Sequence, residues 1–218
     1  MPHIACAAHC LCRTLSVPPV PQIVSAAGHN EPVSNGAAGE LAWGELDTPV
    51  GEMSVACGDA GVAQVCFGPA PARADEPGRA GQAGGHLAAA LAQLTEYFAG
   101  QRRTFGLPVD WSGMSAGQRQ VLPVLLASAA YGETVTYGAL ARRAGLGDRG
   151  TVPAARVVGQ IMGSNPCPVI VPCHRVVAGD GLGGYSGGSG IEIKRWLLIF
   201  EGALPPTLDW DPAGPSTG

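Results

Sequence analysis

Prolines at 166, 168 and 172 fence the apolar run Val169-Ile170-Val171, and this fence constrains the chain more than any other feature of it. Proline lacks the N–H that a helix interior or a central strand requires, so the run can be at most a short strand of β-branched residues. The chain then leaves that expected strand directly into Cys173-His174-Arg175. A thiol at a strand end, beside an imidazole and a guanidinium, sits where its pKa falls and the thiolate is favoured. Adjacency alone does not make a Cys-His dyad, because neighbours on an extended chain point to opposite faces.

Glycine and proline, 33 and 19 of 218 residues, punctuate the rest of the chain. They follow no three-residue repeat, which excludes a collagen-like fibre and favours flexible tails. Residues 1–39 show no sustained periodicity and are expected to form a disordered tail, as are residues 204–218. Cys6, Cys10 and Cys12 with His3 and His9 could collect a metal, but they read better as adventitious thiols. Within 40–110, short apolar stretches alternate with turn signals at Thr48-Pro49-Val50-Gly51 and Gly58-Asp59-Ala60-Gly61, which predicts a small antiparallel meander. Residues 69–85 form a linker-like break. Leu87, Leu91, Leu94 and Phe98 then share one face of a helix stopped by Gly100.

Residues 114–203 change character. A helix is expected over 115–130, with Pro123 near its start or bending it, then a short helix closed by Gly145 and another opened by Pro153. Two short helices around a turn, the second carrying Arg156, resemble a helix-turn-helix, although packing alone produces many such hairpins. The fold class is therefore α+β: a small amino-terminal α/β unit and a mostly helical catalytic domain containing a helix-turn-helix.

Only 14% of residues are charged and the net charge is −4, which argues against a general polyanion binder. The total hides an asymmetry. Residues 114–202 carry eight basic against five acidic side chains, leaving +3 there and −7 elsewhere, so one face can still meet phosphates. Seven cysteines, an odd number, suit a reducing compartment better than a disulfide framework. No run approaches the roughly 18 apolar residues of a membrane helix, and the opening residues lack the basic and apolar regions of a signal peptide.

NPCPVIVPCHRVV, preceded by ARVVGQIMG and followed by GYSGG and KRWLLIFEG, resembles the O6-alkylguanine-DNA alkyltransferase family, the methylated-DNA–protein-cysteine methyltransferases. The likeness runs in order and spacing from about Ser115 to Gly202, with a looser echo in 41–105. It implies single-turnover transfer of an alkyl group from O6-alkylguanine to Cys173, with His174 as base and Glu201 orienting it. Glu201 also lies at the edge of the apolar face made by Ile193, Trp196, Leu197 and Phe200, where a carboxylate wants a partner. The resemblance makes Tyr137 a partner of the purine ring, and Tyr185 and Ser186 part of a loop closing over the lesion. The carbonyls of Cys173 and Val176 become acceptors for the guanine amino group, and Asn165 a tie between recognition helix and active-site strand. Arg156 resembles a finger that replaces the extruded base, and Arg142, Arg143 and Arg175 are candidate phosphate contacts. The implied partner is double-stranded DNA carrying O6-alkylguanine, met through the minor groove by a monomer, with no cofactor and no metal. The implied location is the cytoplasm, at the nucleoid if the source is bacterial.

Departures from the family pattern are specific. The turn LGDRGTVPAAR is about five residues longer than usual, and where the family usually has an aromatic followed by Gln-Arg and a later Trp this chain has Gly117 and Pro123. Cys57, Cys66 and His86 do not reproduce the zinc ligands of some members, and an extended strand would hold Cys167 and Cys173 too far apart for a disulfide. Two other functions compete. A non-catalytic alkylated-DNA-binding protein of the alkyltransferase-like kind would lack the nucleophile that Cys173 supplies. A Cys-His hydrolase would need an oxyanion hole and leaves Arg156 and the Asn-Pro element unexplained.

Overall fold

Hairpin signals and helical periodicity act locally, and both are realised in the computed structural model, which describes residues 41–71, 81–148, 151–184 and 190–206. The tail 1–39, Arg149, Tyr185, Ser186 and residues 207–218 lie outside the described residues. Strands β1 (Ala42–Thr48), β2 (Gly51–Gly58) and β3 (Gly61–Phe67) form an antiparallel sheet in the order β1-β2-β3. Gly61 opens β3 at φ 127, and a Cβ there would lie 2.3 Å from the Pro108 carbonyl oxygen, so only glycine fits the turn. Helix α1 (Gln82–Phe98) packs on this sheet, with the half-buried Leu87 and Leu91 against Gly44 of β1, while its buried Tyr97 and Phe98 meet Phe200 of the other half.

The outer edge of β3 is not left open. Its Val62 N–H donates to the Pro108 carbonyl at 2.8 Å, and its Val65 N–H donates to the Pro166 carbonyl at 2.8 Å. The second bond docks the amino-terminal sheet onto the segment that precedes Cys173, and it also satisfies backbone groups a free edge would expose.

Helix α2 (Ala116–Ser128) starts from a capping box between Ser115 and Gln118. Pro123 lies inside this helix, so the Arg119 carbonyl receives no i+4 N–H. A two-residue strand β4 (Val135–Thr136) leads into α3 (Tyr137–Arg143), and the Thr136 side chain caps that helix. Helix α4 (Ala154–Gly163) follows with Pro153 as its N-cap residue. The Ala154 N–H donates to Asp148 Oδ1 at 2.7 Å, so the longer turn supplies the carboxylate that steadies the start of α4.

The expected strand Val169-Ile170-Val171 is not a strand. The Val171 N–H turns back to the Cys167 carbonyl at 2.8 Å, and Val169 has φ 70, the only positive φ outside glycine among the described residues. The three prolines remove the donors a ladder needs, and a β-branched residue in the left-handed region persists because its surroundings, buried throughout residues 167–171, over-determine it. Cys173–Arg175 then form one turn of 3₁₀ helix, followed by β5 (Val176–Val177), which pairs in parallel with β4. Helix α5 (Ile191–Phe200) closes the fold. Cys167 and Cys173 are not in a disulfide, although the extended spacing expected to separate them is absent.

One core cluster joins both halves, from Met53 and Val55 of the sheet to Trp196 and Leu197 of α5. Among the described residues no helix is long and apolar enough to cross a membrane.

Candidate active site

The 3₁₀ turn buries three consecutive residues of different chemistry and sends their side chains to different partners. Such a turn sets neighbouring side chains about 120° apart around a tight axis rather than on opposite faces of a sheet. Cys173 lines a cavity of about 610 Å³ whose other walls include Tyr137 on α3, Arg156, Gly159 and Met162 on α4, and Gly184.

His174 is fully buried, and its Nε2 lies 2.9 Å from Glu201 Oε1. An ionised carboxylate only accepts, so Nε2 carries the proton and Nδ1 keeps its lone pair. Nδ1 is buried and has no hydrogen-bond partner among the described residues. Burial lowers the His174 pKa, outweighing the opposite pull of the Glu201 hydrogen bond and charge. The imidazole is therefore a neutral acceptor with one nitrogen left to take a proton.

Glu201, at the C-cap of α5, is buried as the edge-of-face argument requires. Burial alone would push its carboxyl up, but the hydrogen bonds from His174 and Arg175, with the positive charge of Arg175, hold it down at about 2. Arg175 donates from Nε to Oε2 and from Nη2 to Oε1, both at 2.8 Å, and from Nη1 to the Ala129 carbonyl at 2.7 Å. With 6% of its surface exposed, Arg175 is not the phosphate contact expected of it, because a bidentate pair with Glu201 commits its guanidinium to the interior. Tyr97 on α1 donates its hydroxyl to Glu201 Oε1 at 2.7 Å.

Asn165, two residues past α4, braces the coiled segment before Cys173: its Nδ2 donates to the Val171 carbonyl at 2.9 Å and its Oδ1 accepts from the Cys167 N–H at 3.1 Å. Tyr137 donates its hydroxyl to the Gly184 carbonyl at 3.1 Å. Burial, then the nearby Cys173, push its pKa up, so it stays a donor. Gly183 has φ 70, and a Cβ there would come 2.8 Å from the Tyr137 ring, so the segment closes on that ring only as glycine. Arg142, Arg143 and Arg156 are exposed, with Arg156 on the cavity wall and Arg143 donating to the Ser128 carbonyl at 3.2 Å. Tyr185 and Ser186 lie outside the described residues.

Two site residues escaped the sequence reading. Lys194 is buried on α5, and its Nζ donates to the carbonyls of Val176, Leu182 and Gly184 at 2.7, 2.5 and 3.1 Å. Its ammonium stands 5.7 Å from the Tyr137 ring centre, and burial lowers its pKa to about 8. The Val176 carbonyl keeps one lone pair beyond that bond for the role expected of it. Lys194 and Tyr97 each sit three residues before or after a leucine of a buried face, Leu197 and Leu94, and that spacing was the available signal.

A family model described as "6-O-methylguanine DNA methyltransferase, DNA binding domain" matches residues 116–203, and one described as "6-O-methylguanine DNA methyltransferase, ribonuclease-like domain" matches residues 41–111. A Mus musculus protein named methylated-DNA--protein-cysteine methyltransferase is 43% identical over 121 residues, 53% of this chain and 55% of that protein. The match thus spans little more than half of that mammalian relative's length. A Mycobacterium tuberculosis protein of the same name is 42% identical over 123 residues, covering 56% of this chain and 69% of that one. A Thermus thermophilus protein named DNA base-flipping protein is 40% identical over 129 residues, 58% and 81% of the two chains. Among solved structures, Mycobacterium tuberculosis OGT in complex with DNA aligns with a TM-score of 0.59 and 34% identity over 73% of this chain and 92% of that chain. A Cys-His-Glu site built on matches over both halves makes this chain a member of the 6-O-methylguanine DNA methyltransferase family.

Proposed function

We propose that this protein repairs O6-alkylguanine in double-stranded DNA by moving the alkyl group to Cys173 Sγ once per molecule. The observation that carries the reading is Cys173 on a cavity wall that also holds Arg156, followed directly by a buried His174 paired with Glu201. The thiol gives its proton toward His174 Nδ1, directly or through a water, and the thiolate displaces guanine from the saturated alkyl carbon. The carbon–O6 bond breaks with its electron pair on the base, the purine regains one proton, and thiol plus O6-alkylguanine become thioether plus guanine. A donor such as the Tyr137 hydroxyl stabilises the charge that develops on the leaving base. A thioether offers water no electrophilic carbonyl, so Cys173 is consumed.

O6 is hard to reach inside a duplex, so the nucleotide must leave the stack, and Arg156, on the cavity wall, fills the gap from the minor groove. Arg142 and Arg143 contact phosphates, Tyr185 and Ser186 close over the base, and the protein acts as a monomer in the cytoplasm. The name of the Mus musculus relative and the DNA-bound Mycobacterium tuberculosis structure support the reading. Incubation with O6-methylguanine duplex is expected to add one methyl mass to the peptide containing Cys173, with at most one equivalent repaired. Repeated turnover, or methylation of a different cysteine, refutes the proposal. Binding of the lesion with no transfer would instead favour a base-flipping function such as the name of the Thermus relative states.

A further inference from the structure

We infer that Tyr97, contributed by helix α1 of the amino-terminal half, is a positioning residue for alkyl transfer that acts on the His174–Glu201 pair. The inference rests on the alkyl-transfer reading of Cys173. Glu201 Oε1 is a crowded acceptor: Tyr97 Oη reaches it at 2.7 Å, Arg175 Nη2 at 2.8 Å and His174 Nε2 at 2.9 Å. Oε2 takes Arg175 Nε at 2.8 Å, with the Gly132 N–H at 3.5 Å. A carboxylate offers about four lone-pair directions, so these donors saturate it and fix its plane.

The donors are not equivalent. Arg175 and His174 belong to one 3₁₀ turn and move with it, whereas Tyr97 comes from a helix 104 residues earlier in the chain. Tyr97 thus anchors the carboxylate to a second, independent element. Its ring cannot swing away, because Phe98, Phe105, Tyr131 and Phe200 surround it at centroid distances of 5.0, 5.4, 6.2 and 5.5 Å. Burial and the Glu201 charge both oppose its ionisation, so it donates throughout the working pH range.

The electrostatic consequence has a sign. A hydroxyl that shares Oε1 weakens that oxygen as an acceptor for the imidazolium, and so favours the neutral imidazole that Cys173 needs as base. The other charged groups acting on His174 are Arg175 on the turn and Lys194 on α5, which both disfavour the imidazolium; Tyr131 after α2 feels the Glu201 charge but hydrogen-bonds the Phe200 carbonyl rather than the carboxylate.

Tyr97→Phe keeps the ring and removes only the hydroxyl. The acidic limb of the pH profile for single-turnover methyl transfer is expected to move up by about half a pH unit, a roughly threefold rate loss on the acidic side with less than twofold at alkaline pH. The same limb, read without DNA from iodoacetamide labelling of the Cys173 peptide, moves with it. Tyr131→Phe, whose hydroxyl reaches the Phe200 carbonyl at 3.4 Å rather than Glu201, leaves both limbs in place. An unmoved limb in Tyr97→Phe, an equal shift in Tyr131→Phe, or a Tyr97→Phe chain that fails to fold overturns the inference. If wild-type protein transfers no methyl group, the alkyl-transfer reading fails, and the iodoacetamide profile still decides whether Tyr97 acts on the pair.

Discussion

Replacing Arg175 by Met tests whether this cation serves the interior or the DNA. The substitution keeps most of the side-chain length and removes both guanidinium bonds to Glu201 and the one to the Ala129 carbonyl. Glu201 would be left with no exposed side-chain surface, holding only Tyr97, His174 and a weak bond from Gly132. Two routes give the magnitude. The drop of the Glu201 carboxyl from 4.5 to about 2 is equivalent to about 3 kcal/mol, a stabilisation that Arg175 shares with His174. Removing one partner of a buried ion pair costs about 3–5 kcal/mol because the survivor is stranded. We expect a loss near 3 kcal/mol in urea unfolding at neutral pH, or a Tm lower by roughly 6–12 °C. Arg175→Met with Glu201→Leu is expected to regain only part of that stability, since the apolar pair strands no charge but leaves the buried Tyr97 hydroxyl and His174 Nε2–H without their acceptor, and to transfer no methyl group. A phosphate-contacting Arg175 gives the opposite signature. Stability would stay within about 1 kcal/mol of wild type, and the salt dependence of duplex binding would weaken by about 0.9 in log–log slope. That pair of results would refute the assignment of Arg175 to the interior.

Arg156→Ala is expected to slow repair of duplex far more than reaction with free O6-benzylguanine, because only the duplex must be unstacked; equal losses in parallel rate measurements would contradict a finger role. Glu201 also makes stability acid-sensitive. Its folded pKa lies below the unfolded value, so its contribution is complete above about pH 4.5 and is lost as pH falls toward 2. Urea unfolding between pH 5 and pH 2 is expected to show wild type losing up to about 3 kcal/mol more than the Arg175→Met/Glu201→Leu double variant, and parallel curves would refute this.

The sequence disclosed what local rules decide. Gly51 and Gly61 marked the hairpins, Gly145 the end of α3 and Pro153 the start of α4, because turn chemistry and capping act within a few residues. It misled where a local rule was overridden. Val169-Ile170-Val171 has the composition of a strand, but three prolines and the Asn165 side chain give its backbone other partners, and the segment coils instead. The network around Glu201 was half legible. Its edge position on an apolar helix face announced a buried carboxylate, and the motif supplied His174. The spacing could not announce Tyr97, because nothing within one helix reveals that its hydroxyl meets a carboxylate 104 residues away.

Counted along the chain, charge overstates the surface available to DNA. Two of the eight cations in residues 114–202, Arg175 and Lys194, spend their charge inside the protein, one on Glu201 and one on three carbonyls. Glu201 leaves the surface with them, so burial of these three groups takes one charge from the +3 surplus of that half. Such a small surplus cannot hold DNA by its total; position must do what quantity does not. On the proposed reading that position belongs to Arg156, which lines the cavity that holds Cys173. The buried cations act one layer deeper. Arg175 restrains the pull of Glu201 on His174, and Lys194 pins the 182–184 segment against Tyr137. Burying a lysine is costly, and three carbonyl acceptors offset that cost only while the segment stays folded over the site. The same charges that a composition count assigns to nucleic acid are, in the folded chain, what keeps the thiol's surroundings in one arrangement.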